Sequence, residues 1–147
     1  MEEVLFGRIR MTIPDAQFRV STDSMVLADF CRDAGGRGLD LGCGCGTLGL
    51  LLLGSAAAAR ALRWGGRLYL VHKPERLADL MVFLRAARLE PKRLRFVRHS
   101  AASAVSLVLL EARLGGKPGL QIEPELVLYG PDGSESAACR RIYHRQE

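Results

Sequence analysis

The most constraining feature of this 147-residue sequence is a short apolar run, Gly38–Leu41, that leads directly into three alternating glycines, Gly42, Gly44 and Gly46. A segment rich in leucine and alanine, typical of a helix, follows to about Arg63. Glycines at the carboxyl end of a strand let a ligand approach the backbone closely, and the next helix presents unpaired N–H groups to it. The pattern therefore predicts an α/β fold with a cofactor cleft at this loop.

Two types of cofactor loop fit these glycines. The spacing G-x-G-x-G from Gly42 is that of a methyltransferase loop, whereas G-x-G-x-x-G from Gly44 satisfies the dinucleotide-binding fingerprint. Asp40 lies two residues before the first glycine, and the string Leu39–Gly46 closely resembles the first motif of class I S-adenosylmethionine-dependent methyltransferases. That resemblance favours the methyltransferase loop, and it implies a Rossmann-like fold and S-adenosylmethionine as cofactor.

Further segments on both sides of the loop narrow the resemblance. They are Phe18–Ser24, Leu27–Phe30, Gly65–Leu77, Glu90–Val97 and Gly115–Leu120. All of them resemble the bacterial tRNA adenine-N6 methyltransferases that modify valine tRNA, in which the first two lie beside the cofactor and the third forms the fifth strand and the following helix. The resemblance implies methyl transfer to an exocyclic adenine nitrogen, with tRNA as partner. It also implies a set of cofactor-binding residues, namely Asp23, Asp40, Gly42, Cys43, Gly44 and Gly46.

The groups that perform catalysis in that family are missing. The family uses an Asn-Pro-Pro-Tyr motif, which accepts hydrogen bonds from the target amine and stacks on the flipped base. This sequence contains no asparagine, and none of its six prolines adjoins another. An acid about 20 residues beyond the glycines normally contacts the cofactor ribose, yet no Asp or Glu lies between Asp40 and Glu75. The sequence therefore predicts no catalytic residue, and the missing acid also weakens the dinucleotide alternative.

A reduced fold follows from an internal deletion. In the family, three strands and their helices separate the first strand from the fifth, whereas here fewer than 20 residues separate Gly46 from Gly65, with a seam near Gly54. Removal of strands two to four leaves the order one, five, seven, six, a mostly parallel sheet with an antiparallel C-terminal strand. Strand one would become an exposed edge, which predicts a homodimer or poor solubility. The chain is then one domain in three parts: 1–34, an N-terminal hairpin and helix; 38–72, a minimal βαβ unit with the glycine loop; and 73–147, a C-terminal helix and strands.

Local patterns place the individual elements. A strand pair is predicted at the N-terminus, with Leu5–Thr12 and Gln17–Val20 joined by a turn at Pro14, and a helix is predicted after Ser21. Further along, the sequence predicts a strand at Arg67–His72, a helix that begins at Pro74 and closes at Pro91, strands at Leu94–Arg98, Val105–Glu111 and Leu126–Tyr129, and a helix from about Ser134.

Composition agrees with one soluble domain, since 48% of residues are apolar and 25% are charged. No stretch reaches the roughly 20 apolar residues of a membrane span, and the acidic start Met1-Glu2-Glu3 predicts no signal peptide and a cytoplasmic location. The four cysteines and three histidines lack zinc-binding spacing, so the sequence predicts reduced thiols and no metal.

The net charge of +5 is compatible with a polyanionic partner. A basic stretch on a predicted strand is a candidate phosphate-contacting edge, with a solvated face as the alternative; it comprises Lys92, Arg93, Arg95, Arg98 and His99. Phe96 is expected to pack inward, and Trp64 to close a turn against the sheet. Two alternatives to a methyltransferase stay open: a non-enzymatic remnant that binds RNA weakly, and an incomplete gene product.

Overall fold

The structure is a computed structural model that describes residues 2–5, 9–12, 22–31 and 58–143. The glycine loop and the predicted strand 38–41 lie outside these residues. The homodimer expected from the edge of that strand therefore stays a prediction. The elements in chain order are β1 (Glu2–Leu5), β2 (Ile9–Thr12), α1 (Thr22–Phe30), β3 (Arg67–His72), a 3₁₀ turn (Pro74–Arg76), α2 (Leu77–Ala86), β4 (Leu89–Arg98), β5 (Val105–Leu114), β6 (Gln121–Ile122), β7 (Leu126–Val127) and α3 (Ala137–Tyr143).

The main sheet has the strand order β3-β5-β4-β6. β7 also pairs directly with β4, at Val97 and Arg98, which follow the residues of β4 that pair with β6. β5 is antiparallel to both β3 and β4, whereas β6 and β7 run parallel to β4. Four strands therefore share one direction and β5 alone opposes them, although most of the pairing is antiparallel because β5 is central. The order β3-β5-β4 is the predicted order five, seven, six, and the expected reduced Rossmann-like α/β fold is confirmed in the described part of the chain.

Helices cover both faces of this sheet. α1 and α3 pack on one face through Phe30 and Ile142, and α2 packs on the other through Leu84, together with helical residues 58–61. Side chains of β5 alternate between these layers: Leu109 contacts the first, and Val108 and Leu110 contact the second. Burial of each large apolar side chain contributes about 1.5–3 kcal/mol, so these two clusters are the main source of stability.

The turn from α2 into β4 differs from the prediction. Pro74 starts the 3₁₀ turn that leads into α2, as expected of a proline at a helix start, but the helix ends at Ala86 rather than near Pro91. Arg88, with φ +62°, reverses the chain, and β4 begins at the next residue. Pro91 lies inside β4 beside a bulge between Pro91 and Arg93, where a residue without a backbone N–H is tolerated.

The two ends of the chain differ from the prediction in detail. Leu5 pairs with Ile9, so β1 and β2 form a hairpin within the stretch predicted as one strand. Gln17–Val20, the predicted second strand, lies outside the described residues. At the other end, the Ser136 hydroxyl accepts a hydrogen bond from the backbone N–H of Cys139 at 3.0 Å. This cap starts α3 at Ala137 rather than at Ser134.

Candidate functional site

Asp23 is the only predicted cofactor-binding residue within the described part of the chain. It is the second residue of α1, its side chain is exposed, and it lines a cavity of about 360 Å³. The other five predicted cofactor-binding residues lie outside the described residues, so their role stays a prediction: Asp40, Gly42, Cys43, Gly44 and Gly46.

The cavity lies at the carboxyl edge of the parallel strands. The start of α1, the residue after β4, the start of β5 and the residues after β7 meet there. Ligands of open α/β sheets bind outside the carboxyl ends of the strands, so this is the edge at which the fold predicts a cofactor or substrate. The residues that line the cavity are Thr22, Asp23, His99, Ser106, Leu107, Leu128 and Tyr129.

An aromatic pair forms one wall of the cavity. The rings of His99 and Tyr129 lie 4.6 Å apart between centroids at 40°, and the Tyr129 N–H donates to the His99 carbonyl at 2.9 Å. Burial raises the pKa of Tyr129 above its ordinary value. The Ser106 hydroxyl donates to the Val97 carbonyl at 3.1 Å and keeps lone pairs with which to accept. The cavity therefore combines an aromatic wall and a hydroxyl group with the exposed Asp23 carboxylate.

The sequence alone does not predict this aromatic wall. From the sequence, His99 is only the end of a basic stretch, and Tyr129 is only the end of a predicted strand. Thirty positions separate them, and the pairing of β7 with the end of β4 brings them together. No local pattern in the sequence carries that information.

The basic stretch on β4 is folded into ion pairs. Arg93, with only 8% of its surface exposed, contacts Glu111 through Nη1 at 2.5 Å and Glu123 through Nε at 2.6 Å. Arg95 Nη2 contacts the other oxygen of Glu123 at 2.9 Å. Burial opposes the charge of Arg93, but the hydrogen bonds that its guanidinium donates to Glu123 and Glu111 outweigh this effect and raise the pKa of Arg93. The guanidinium therefore keeps its positive charge, and the carboxylates of Glu111 and Glu123 balance that charge inside the protein.

Arg93 also fixes the end of α1. Its Nη1 and Nη2 donate to the Phe30 carbonyl at 3.3 and 3.4 Å, and its guanidinium lies 4.2 Å from the centre of the Phe30 ring. A cation at a helix C-terminus satisfies carbonyls that have no partner within the helix. Arg98 contacts Glu125 at 3.0 Å, and Lys92 donates to the Lys117 carbonyl at 2.8 Å. The stretch thus holds the fold together, and a phosphate-contacting role for it loses its main support.

Phe96 and Trp64 occupy contrasting positions. Phe96 packs against the cluster beneath α2, which confirms its predicted inward orientation. Trp64 lies in a turn before β3 with its ring against Gly115, yet 70% of its surface is exposed. The ring therefore touches the end of β5 without being covered by it.

Metal and membrane features are not seen in the described ranges. No three His, Cys, Asp or Glu side chains of residues 22–31 and 58–143 come close enough together to hold a metal ion. None of the helices within these ranges is long and apolar enough to cross a bilayer. Cys31 and Cys139 are free thiols, and burial raises the pKa of Cys139.

Comparison with known proteins yields a structural likeness. No protein-family model matches the sequence, and the curated proteins contain no match to it. Among solved structures, the chain is similar to a predicted O-methyltransferase from Agrobacterium tumefaciens, with a TM-score of 0.58 and 18% sequence identity. The match covers 64% of this chain and 45% of the other, so the chain spans less than half of its neighbour. At this identity the likeness shows a methyltransferase-type fold.

Proposed function

We propose that this chain is a reduced, catalytically silent relative of the S-adenosylmethionine-dependent methyltransferases whose family reaction methylates an adenine N6 of tRNA. The observation that carries the proposal is the sheet, in which β3, β5 and β4 have the order and directions of the last three strands expected for such an enzyme. The methyltransferase-type fold and the Leu39–Gly46 motif support the same ancestry.

The cofactor side is the carboxyl edge. A loop that follows a parallel strand opens at this edge, so the resemblance would bring Gly42–Gly46 to the side of the sheet on which Asp23 lines the cavity. An exposed carboxylate fits the ammonium group of the methionine moiety of S-adenosylmethionine, which it would bind as an ion pair. The bound cofactor would supply an electrophilic methyl group. The residues present fit that end of the cofactor, whereas the acid expected at the ribose is missing from the sequence.

Catalytic silence follows from the groups that the chain lacks. Transfer to an exocyclic amine requires acceptors that hold both amine hydrogens and direct the nitrogen lone pair at the methyl group. In the family an Asn-Pro-Pro-Tyr motif does this, and this sequence has no such motif. The cavity offers Asp23 and Ser106 as acceptors, but Asp23 is the residue assigned to the cofactor.

Two assays test the proposal separately. In the first, the chain is incubated with tRNA and radiolabelled S-adenosylmethionine; we expect no label in RNA above a blank without protein, and label above it contradicts catalytic silence. In the second, S-adenosylmethionine is titrated calorimetrically into the chain. We expect heat that is lost in Asp23→Asn and kept in Glu75→Gln, a control that neutralises an exposed acid in the 3₁₀ turn. Absence of heat from the unaltered chain contradicts the cofactor assignment alone.

A second candidate function is RNA binding without catalysis. The specific observation that favours it is a set of exposed cations beside the exposed Trp64, at the end of the sheet opposite the cavity. These cations are Arg63, Arg88, Arg113 and Lys117. Because electrostatic binding to RNA releases counterions, its affinity falls steeply with salt. Salt-sensitive tRNA binding in the absence of any cofactor binding would favour this candidate over the first.

A further inference from the structure

Three turns meet at the amino edge of the sheet, opposite the cavity. The turn at Trp64 leads into β3, the turn at Arg88 leads into β4, and Gly115 follows β5. Backbone hydrogen bonds join them, because Gly65 N–H donates to the Leu114 carbonyl and Gly115 N–H donates to the Arg88 carbonyl, both at 2.9 Å. The three turns therefore form one fixed surface.

The Trp64 ring is held on one side and open on the other. Gly115 has φ +72° and no Cβ, and a Cβ at this position would overlap the six-membered part of the ring. The ring therefore rests directly on backbone. Arg113 Nε donates to the Gly65 carbonyl at 3.2 Å and fastens the turn that carries the ring. With 70% of its surface exposed, Trp64 presents an aromatic face to solvent from a rigid base.

Four exposed cations lie in these turns or directly beside them. Together with Trp64 they form the amino-edge patch: Arg63, Trp64, Arg88, Arg113 and Lys117. None of the four cations is ion-paired with another residue within 58–143. Glu90, whose Cβ borders Gly116, is itself paired with Arg85 at 2.7 Å. The patch is thus positively charged, and no carboxylate of residues 58–143 forms an ion pair with its cations.

We propose that the amino-edge patch binds single-stranded nucleic acid, with a base stacked on Trp64 and neighbouring phosphates on the exposed cations. This proposal rests on the second candidate function, RNA binding without catalysis, and names the surface and the contacts through which the RNA would bind. Single-strand sites combine an aromatic platform with cations that follow the backbone, and both are present here. A double helix keeps its bases stacked internally, so Trp64 would not reach them. The site lies away from the cofactor edge and would work without S-adenosylmethionine.

Trp64 is the only tryptophan in the sequence, so its fluorescence reports directly on the proposed contact. We expect titration with single-stranded RNA to quench the emission, since a stacked base quenches indole, and the affinity to fall steeply as salt rises. Duplex RNA should quench far less at the same phosphate concentration. Absence of binding, or equal quenching by duplex RNA, would overturn the proposal. A parallel titration with single-stranded DNA shows whether the patch prefers RNA or DNA, and binding of either one supports the site.

Substitutions of Trp64 test whether its ring is the stacking platform. We expect Trp64→Leu to weaken binding of a labelled single strand, followed by anisotropy, roughly 5- to 100-fold, and Trp64→Phe to restore much of it. Lys73→Gln, which removes an exposed cation at the carboxyl edge, is the matched control and should change the affinity little. Circular dichroism verifies that each variant is folded. Binding that is unchanged in folded Trp64→Leu, or weakened equally by Lys73→Gln, would refute the assignment, and neither result bears on the methylation and calorimetric assays.

Discussion

The arginines of β4 and the cations of the amino-edge patch carry the same charge in opposite surroundings. Arg93 and Arg95 lie on a strand whose neighbours supply Glu111 and Glu123 within 3 Å. Arg88 and Arg113 lie at strand ends, exposed, with no ion-pair partner among residues 58–143. Carboxylates brought beside a cation by strand pairing, rather than the density of basic residues along the sequence, therefore decide which cations stay free for a ligand.

Removal of Glu111 should have the largest effect. Glu111→Gln deprives buried Arg93 of one of its two carboxylates, and we expect a loss of about 3 kcal/mol, at the lower end for a broken buried pair because Glu123 still contacts Arg93. For a chain of this size that lowers the Tm by about 6–12 °C in a thermal unfolding experiment followed by circular dichroism. A Tm within 2 °C of the parent, on the order of a surface substitution, would show that the pair does not stabilise the fold.

Gly115→Ala tests the base of the patch. The substitution places a Cβ where the Trp64 ring lies and a side chain on a residue with φ +72°. We expect a loss of about 1–3 kcal/mol from strain and overlap, with a shift in the emission maximum of Trp64 as its ring is displaced. Chemical denaturation gives the free energy of unfolding. An unchanged emission spectrum would show that the ring does not rest on Gly115.

Glu125→Gln is the exposed counterpart of the first change. Glu125 contacts Arg98 at 3.0 Å, but 44% of its side chain is exposed, so solvent screens the pair. We expect a loss of less than about 1 kcal/mol in the same thermal experiment. If this substitution cost as much as Glu111→Gln, burial would not be what distinguishes the ion pairs of β4.

Arg88→Asn should have the smallest effect on stability. Arg88 has φ +62°, a conformation that asparagine adopts more readily than arginine, and its side chain is exposed and without an ion-pair partner in the described ranges. We expect the free energy of unfolding to stay within about 0.5 kcal/mol of the parent. A larger loss in chemical denaturation would mean that the Arg88 side chain makes a structural contact and is not available to a ligand.

The fold was predictable where the pattern is local. The apolar spacing of Leu77, Leu80 and Leu84 after Pro74 identifies α2, and a run of six residues identifies β3. The family resemblance predicts the strand order one, five, seven, six. The pairing of β5 with β3 and β4 confirms its last three members, whereas strand one lies outside the described residues. Pro91 was misleading because a proline that stops a helix can equally lie at a bulge in a strand.

The site was less predictable because its contacts are distant in sequence. Glu111 and Glu123 follow Arg93 by 18 and 30 positions, so the ion pairs that neutralise the basic stretch have no local signal. The same holds for His99 beside Tyr129. Only the family resemblance points to Asp23. The residue lines the cavity, and its role in cofactor binding stays a prediction.

The most direct test of this account compares two single-charge variants in one salt titration of single-stranded RNA binding. Arg88→Asn removes a cation from the amino-edge patch, whereas Arg95→Gln removes one that is paired with Glu123 on β4. We predict that Arg88→Asn weakens binding and lowers the slope of log affinity against log salt by about one, while Arg95→Gln leaves both unchanged. A loss of affinity and slope in Arg95→Gln, with Arg88→Asn unaffected, would contradict the account.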